Sequence, residues 1–418
     1  MSVEVWDVLV VGAGAAGLVA AFRAAELGAS VLLLEKNRRP GVKILMSGGT
    51  RCNLTHDTDN RGIVQAYGVP GRFLHSALAA LSVRASIQLF EAEGVYTKAE
   101  ETGKVFPQSD RAADVLEALL DRFKRSGATL ATEEPLLELQ LAESQFIAKT
   151  TRREIRVRRV IVTTGGQSYP GSGTTGDGYR FATTLGHGLI PPRPALVPLT
   201  THAAWVLDLK GITLPDVTLS VWEKGKRLAQ RRSSLLFAHF GLTGPAALDV
   251  SRVVSGHARP SDLVAEVDLL PDLNEERVVE RWRESLADAG RKTLATLLGQ
   301  WFPQRIADVV LAQAGVPPDR KAAEHGKEER QRIAHTIKRL PIPLSGTLGF
   351  KKAEVTAGGV PLEEVDSRTM QSKRVPGLYF AGEVLDLDGP IGGYNFQAAW
   401  STGWLAGSSA AESAAQAK

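Results

Sequence analysis

A chain of 418 residues with a single cysteine, Cys52, can form no internal disulfide and no dithiol redox pair. A reducing compartment follows from that scarcity, and the cytoplasm is the expected location. Long apolar runs are missing as well. No stretch approaches the roughly twenty residues that cross a bilayer, and the first apolar run starts at Val8, which leaves no room for a signal peptide. A soluble protein without membrane contact is expected. Charge of one sign is scarce, with 50 Lys and Arg against 46 Asp and Glu for a net of +4. That balance gives no reason to expect nucleic acid as a partner, although a sequence pI near 9.1 allows weak attraction to anions. His, Cys and carboxylates nowhere fall at metal-ligand spacing, and the GxSxG nucleophile motif is absent.

What is present is concentrated first in residues 7–53. Residues 8–11 form an apolar run suited to a strand buried on both faces, and Gly12-Ala13-Gly14-Ala15-Ala16-Gly17 follows at once. Residues 18–27 are small or helix-forming, Gly28 ends the helix, and a second apolar run, 31–34, leads into Glu35. Strand, glycine turn, helix, strand and acid, with the acid about twenty residues past the glycines, form a dinucleotide-binding pattern. Gly12 permits the tight turn, Gly14 lets a pyrophosphate reach the backbone, and Gly17 lets the helix pack on the sheet. Ala15 and Ala16 open a helix whose free N–H groups face the phosphates, and Glu35 is placed to accept from ribose hydroxyls. Lys36 and Lys43 then lead into a second glycine-rich stretch, Ser47, Gly48, Gly49, Thr50, Arg51, Cys52 and Asn53. A nicotinamide dehydrogenase needs no such stretch here, whereas a permanently bound flavin must still be held. FAD is therefore favoured, bound non-covalently, with Cys52 a packed, inert thiol.

Further along, a helix is expected over 112–123 with Asp110 as its N-cap, and strands at 130, 136–141 and 146–150, with Leu136 presenting backbone to an adenine. Residues 160–166 read as a buried strand ending in Thr164, Gly165 and Gly166, small enough for a nucleotide to lie against the sheet. The texture changes at Pro191, Pro192, Pro194 and Pro198. Alternation at 217–222 before a turn at 224–226 points to a small antiparallel β domain, and helical spacing from Val278 to Phe302 to inserted helices. The charged segment 320–339 interleaves acids with bases and reads as a solvated helix face. Near the end, Gly382-Glu383 closes a strand, and Gly392, Gly393, Tyr394, Asn395 and Phe396 open a helix through Trp404. Its N–H groups would aim at the pyrimidine edge of a flavin. The Ala/Ser-rich tail beyond Gly407 looks low in complexity.

The stretches GAGAAGL from Gly12, SGGTRCN from Ser47, TTGGQSYPGSGTTGDGY from Thr163, LLFAHFGLTGPA from Leu235, EVTAGGV from Glu354, TMQSK from Thr369 and GLYFAGEVLDLDGPIGGYNFQAAWSTG from Gly377 run in order along nearly the whole chain. In them the protein resembles the BaiN or YhiN-like family of bacterial NAD(P)/FAD-dependent oxidoreductases, some of them labelled aminoacetone oxidases. Thr50 and Gln371 depart from the family pattern. The resemblance implies an α/β architecture: a Rossmann-like two-dinucleotide-fold FAD domain from residues 1–190 and 353–418, a β-barrel-like insert over 191–271 returning at 339–352, and a helical subdomain over 272–338. It implies FAD contacts at Gly12, Gly14, Gly17, Glu35, Lys36, Lys43, Ser47, Arg51, Cys52, Gly165, Gly382, Glu383, Gly393, Asn395 and Phe396. NAD(P)H is the expected transient reductant, although no second GxGxxG is present, and a small organic molecule is the expected acceptor, an activated C=C bond being one candidate group. Two alternatives stand beside it: an amine oxidase that passes electrons to oxygen, and a flavin-containing RNA-binding or RNA-modifying protein. Tyr169, His239 and Tyr394 are candidate proton donors or acceptors, each with a purely structural role open to it. Oligomeric state is not legible.

Overall fold

The computed structural model describes residues 5–287 and 289–416. The chain divides into two compact units, one formed by Met1–Arg193 with Val355–Lys418, the other by Pro194–Glu354.

The first unit is built on a seven-stranded sheet. Val5–Val11 lies parallel between Val31–Leu34 and Glu154–Val162, and Thr129–Ala131 extends the parallel set beyond Val31–Leu34. Glu154–Val162 serves two partners on its far side. Its first half pairs antiparallel with Gln145–Thr150, which in turn pairs with Leu136–Ala142, while its last three residues pair in parallel with Leu378–Phe380. A strand from the C-terminal piece thus completes the sheet begun at the N-terminus.

Sequence chemistry explains the centre of this sheet. Val8, Leu9 and Val10 have no exposed surface, as parallel strands covered on both faces require. One cover is the helix Ala15–Glu26, crossed closely by Tyr394–Ala415. A side chain at Gly403 or Gly407 would place its first carbon 2.4 Å from the carbonyl oxygen of Ala16 or Ala20. The Ala/Ser-rich tail is accordingly a helix to Ala415, with Ala406, Ala410 and Ala414 buried. The expected end near Trp404 is corrected: small residues here mark close packing. Asp110 is also corrected. Arg111 precedes the helix Ala112–Arg125, which has no side-chain cap, and the Asp110 carboxylate instead receives Lys98 at 2.5 Å.

The second unit carries its own seven-stranded antiparallel sheet, in the order Leu340–Pro343, Val264–Asp268, Thr213–Glu223, Lys226–Ala238, Gly241–Thr243, Leu199–Thr200 and Gly346–Thr347. Its first and last strands are consecutive in the chain, so the sheet curls back towards its own start. The expected turn at 224–226 joins the two longest strands, with Lys224 and Gly225 both at positive φ. Helices Glu275–Ala287, Leu294–Leu298, Gln304–Gln313 and Lys327–Lys338 share a core with this sheet, centred on fully buried Trp282, whose indole donates to His325 Nε2 at 3.0 Å. Among the described residues no single helix is long and apolar enough to cross a membrane. Only a bent pair, Val69–Ala80 with Val83–Ala92 at 43°, passes by length and composition.

Candidate functional site

The three fingerprint glycines do different work. Gly12 has φ 101°, and a side chain there would meet Thr163 O at 2.9 Å; at Gly17 it would lie 1.9 Å from Gly12 O. Both are required by the protein's own packing. At Gly14 a side chain would meet no protein atom within 4 Å, and the helix that starts there has no side-chain cap. Open space in front of uncapped helical N–H groups is what a pyrophosphate needs. Glu35 is buried at the neighbouring strand end, where its carboxylate accepts from Ala13 N at 2.9 Å and Asn37 N at 2.8 Å. Each oxygen keeps a lone pair for a further donor.

A second cluster gathers residues from four parts of the chain. Lys43 Nζ donates to Ser168 Oγ at 2.5 Å and to Glu383 Oε2 at 2.6 Å. Ser168 Oγ and Thr356 N both donate to Glu383 Oε1, at 2.7 and 2.9 Å. Thr356 Oγ1 accepts from Gln167 N and Ser168 N, and so anchors the loop after Gly165 and Gly166. Neither Ser168 nor Thr356 was among the sequence candidates, since one hydroxyl in a chain leaves no local periodicity to read. Lys36 goes elsewhere, to Thr175 and Asp177, both at 2.6 Å.

Residues 47–53 follow Lys43 by way of the short helix Val42–Met46. Gly48, Gly49, Thr50 and Cys52 all have positive φ, between 55° and 70°. The Cys52 side chain is buried, and burial pushes its thiol up to about 12. That environment is unsuited to a thiolate nucleophile. Arg51 turns to Glu100 at 2.7 Å and lies 3.8 Å over the Phe106 ring. This engages its guanidinium with the 97–107 hairpin.

The start of the long C-terminal helix lies against Asn53 and Thr55. Gly392 and Gly393 have φ of 129° and 93°, and no side chain caps the helix. Asn53 Oδ1 is buried without a hydrogen-bond partner, and a side chain added at Gly393 would sit 2.8 Å from it. A buried orphan acceptor beside uncapped N–H groups fits the imide edge of an isoalloxazine, which offers one N–H flanked by carbonyl oxygens. Thr164 Oγ1 is a second buried orphan. Asn395 is turned inward, accepting from Gly389 N at 2.8 Å and donating to Gly389 O at 3.0 Å, so that it fixes the preceding loop. Phe396 stacks on Trp400 with ring centroids 5.2 Å apart. Leu136 is a buried residue of its strand.

The three candidate proton carriers each have a different immediate partner or setting. Tyr394 stacks on His56, with centroids 4.6 Å apart, and His56 Nδ1 lies 3.0 Å from Gly392 O. Tyr169 is exposed with φ 55° in the loop that follows Ser168. His239 belongs to the antiparallel unit, edge-on to Phe240.

Residues 6–409 match the family described as the HI0933-like protein Rossmann domain. The chain belongs to that family. It is therefore a flavin-dependent oxidoreductase of an FAD-binding Rossmann type. It is 34% identical over 411 residues to the ribosomal RNA dihydrouridine synthase of Escherichia coli (strain K12), covering 96% of this chain and 97% of that one. It is 30% identical over 406 residues to the 3-dehydro-bile acid delta(4,6)-reductase of Clostridium scindens, covering 96% and 98%. Among solved structures, the 3-ketosteroid-delta4-(5alpha)-dehydrogenase of Rhodococcus jostii RHA1 superposes with a TM-score of 0.51 at 17% identity, covering 98% of this chain and 97% of that one. A quinol-fumarate reductase gives 0.52 at 19%, covering 100% and 73%. At such identities the likeness is one of fold.

Proposed function

We propose that this protein is a reductase that saturates a C=C bond conjugated to a carbonyl, with the uracil ring of a ribosomal RNA uridine as acceptor and NAD(P)H as transient reductant. The observation that carries the reading is full-length 34% identity to a ribosomal RNA dihydrouridine synthase. A bile-acid reductase at 30% supports the same bond chemistry on a different ring. Bound FAD would supply the two-electron chemistry, and the chain's own residues would hold it. Gly14 and the helix start behind it would take the pyrophosphate, Glu35 the ribose, and Asn53 with the Gly393 helix start the imide edge. Lys43 and Glu383 would fix the wall between them. Tyr169 and Tyr394 remain the proposed proton carriers near the site, with His239 a third in the antiparallel unit. In the same reading that unit, with its end strands consecutive in the chain, is a barrel-like body bearing a helical subdomain. Net charge does not choose between the units: residues 194–354 carry 23 Lys and Arg against 19 Asp and Glu, and the remainder 27 of each, so a polyanion would have to be met by a local cluster.

The test is to incubate the holoenzyme with protein-free ribosomal RNA and NADPH or NADH, then digest to nucleosides and measure dihydrouridine by mass. Its formation is expected with one of the two nucleotides. A flavin that neither nucleotide bleaches anaerobically would sink the reading.

A further inference from the structure

Some arginines in the FAD-binding unit, Arg51, Arg122, Arg125, Arg153 and Arg158 among them, each hold a carboxylate. Residues 60–90 contain Arg61, Arg72, His75 and Arg84 and, over thirty-one positions, no Asp or Glu. All four side chains are exposed. None of the three guanidinium groups has a carboxylate partner among the described residues.

The fold gathers these groups. Asn60 Oδ1 accepts from Val83 N at 3.3 Å and Asn60 Nδ2 donates to Leu78 O at 2.9 Å. The starts of the helices Asn60–Tyr67 and Val83–Ala92, which carry Arg61 and Arg84, are therefore held side by side, and their dipoles add positive potential there. Asp59, the nearest acid, is engaged as the first helix's cap, accepting from Gly62 N at 2.8 Å. Gly71 packs so tightly on the Val64 carbonyl that a side chain would sit 2.1 Å from it, which sets Arg72 on the same small bundle. Beside Arg72, Val69 is 84% exposed, the most exposed large apolar side chain of the described residues. The bundle is also joined to the cofactor wall, because Tyr67 Oη donates to Tyr394 O at 3.1 Å.

We propose that this acid-free face docks the phosphate backbone of an RNA substrate, with Arg61, Arg72 and Arg84 each taking a phosphate. The inference rests on the ribosomal RNA reading above. A lipid surface is the less favoured partner, since Leu74, Leu78, Leu89 and Phe90 of the same helices are buried and, Val69 apart, the exposed residues are polar or small. Phosphates held beside the site would fix the register of the chain and leave a single base to enter.

The experiment compares the wild-type holoenzyme with the R61Q/R72Q/R84Q variant for binding to poly(U) and to protein-free ribosomal RNA, by fluorescence anisotropy across KCl concentrations. Three lost phosphate contacts on a single strand predict an affinity lower by about a hundredfold near ~0.1 M salt, and a log–log salt slope shallower by about 2. Flavin content and anaerobic bleaching by NADPH or NADH should be unchanged. The control R277Q/R281Q/R283Q removes equal charge from the helix Glu275–Ala287 and should bind as wild type does. Wild-type affinity and slope in the first variant would overturn the proposal. So would an equal loss in the control, or binding of wild type to phosphatidylglycerol vesicles but not to RNA. Dihydrouridine measured on the same samples keeps the two readings apart: RNA bound through this face without product removes the proposed reaction alone, and product with undiminished variant binding removes this surface alone.

Discussion

Lys43 Nζ lies 2.6 Å from Glu383 Oε2, although 340 positions separate the two residues in the chain. The pair joins the first dinucleotide-binding segment to the returning C-terminal piece, and Ser168 touches both partners. Removing one partner strands the other in a partly buried cluster. K43M and E383Q should each weaken FAD binding, and the double variant should be little worse than the poorer single one. A coupling of about 0.5–3 kcal/mol is expected for groups in one network, read from FAD titration of the apoprotein.

The fingerprint glycines can be separated by experiment. At Gly17 an added methyl would overlap backbone, so G17A should lower the stability of the apoprotein by about 1–3 kcal/mol. At Gly14 the methyl meets no protein atom, and φ of −83° suits any residue. G14A should leave the apoprotein's Tm unchanged and still bind FAD more weakly. Equal effects on Tm would remove the claim that this space is reserved for the cofactor.

Cys52 should be silent in the native protein. Its thiol is raised to about 12 by burial, so almost no thiolate exists near neutral pH. Iodoacetamide at pH 8 should label it only after denaturation. The C52A variant should retain FAD and respond to NADPH and NADH as the wild type does, as followed by absorbance.

A pH effect on stability follows from His187. Burial lowers its pKa below the ordinary histidine value, outweighing the carboxylate of Glu364 at 2.8 Å, and Nε2 bonds Ser372 at 2.8 Å. The unfolded chain therefore binds a proton at higher pH than the folded one, and stability is lost as pH falls below about 6.5, the unfolded value. Glu364 is itself held low: burial raises it, and the Gly188 N–H, Arg374 and His187 together lower it. Its own contribution fades only in the more acidic carboxylate range. Tm should fall from pH 7 to 5, and H187Q should be less stable at pH 7 with a flatter acid limb in differential scanning calorimetry.

Part of this was legible in the chain. The run from Val8 to Glu35 reads correctly because local rules govern it: apolar strands, glycines where backbone is crowded, a helix of small residues. The strand Glu154–Val162 showed only its last residues, since Ile155 and Val157 alternate with exposed or half-buried arginines until full burial begins at Val160. Asp110 looked like a cap because its sequence position suited one, yet Lys98 across the hairpin competes for its carboxylate. Thr356 and His56 were missed because their partners, Ser168 and Tyr394, are distant in sequence. The Arg51–Glu100 pair could not be read from the chain, because the approach of Glu100 depends on the hairpin's register.

The sheet that carries the fingerprint lacks its seventh strand until Leu378–Phe380 has been made, and the second helix start waits for Gly393. Synthesis thus delivers the phosphate-binding turn early and the opposite wall last, with a whole antiparallel unit translated between them. A nascent chain stalled before residue 378 should therefore emerge colourless.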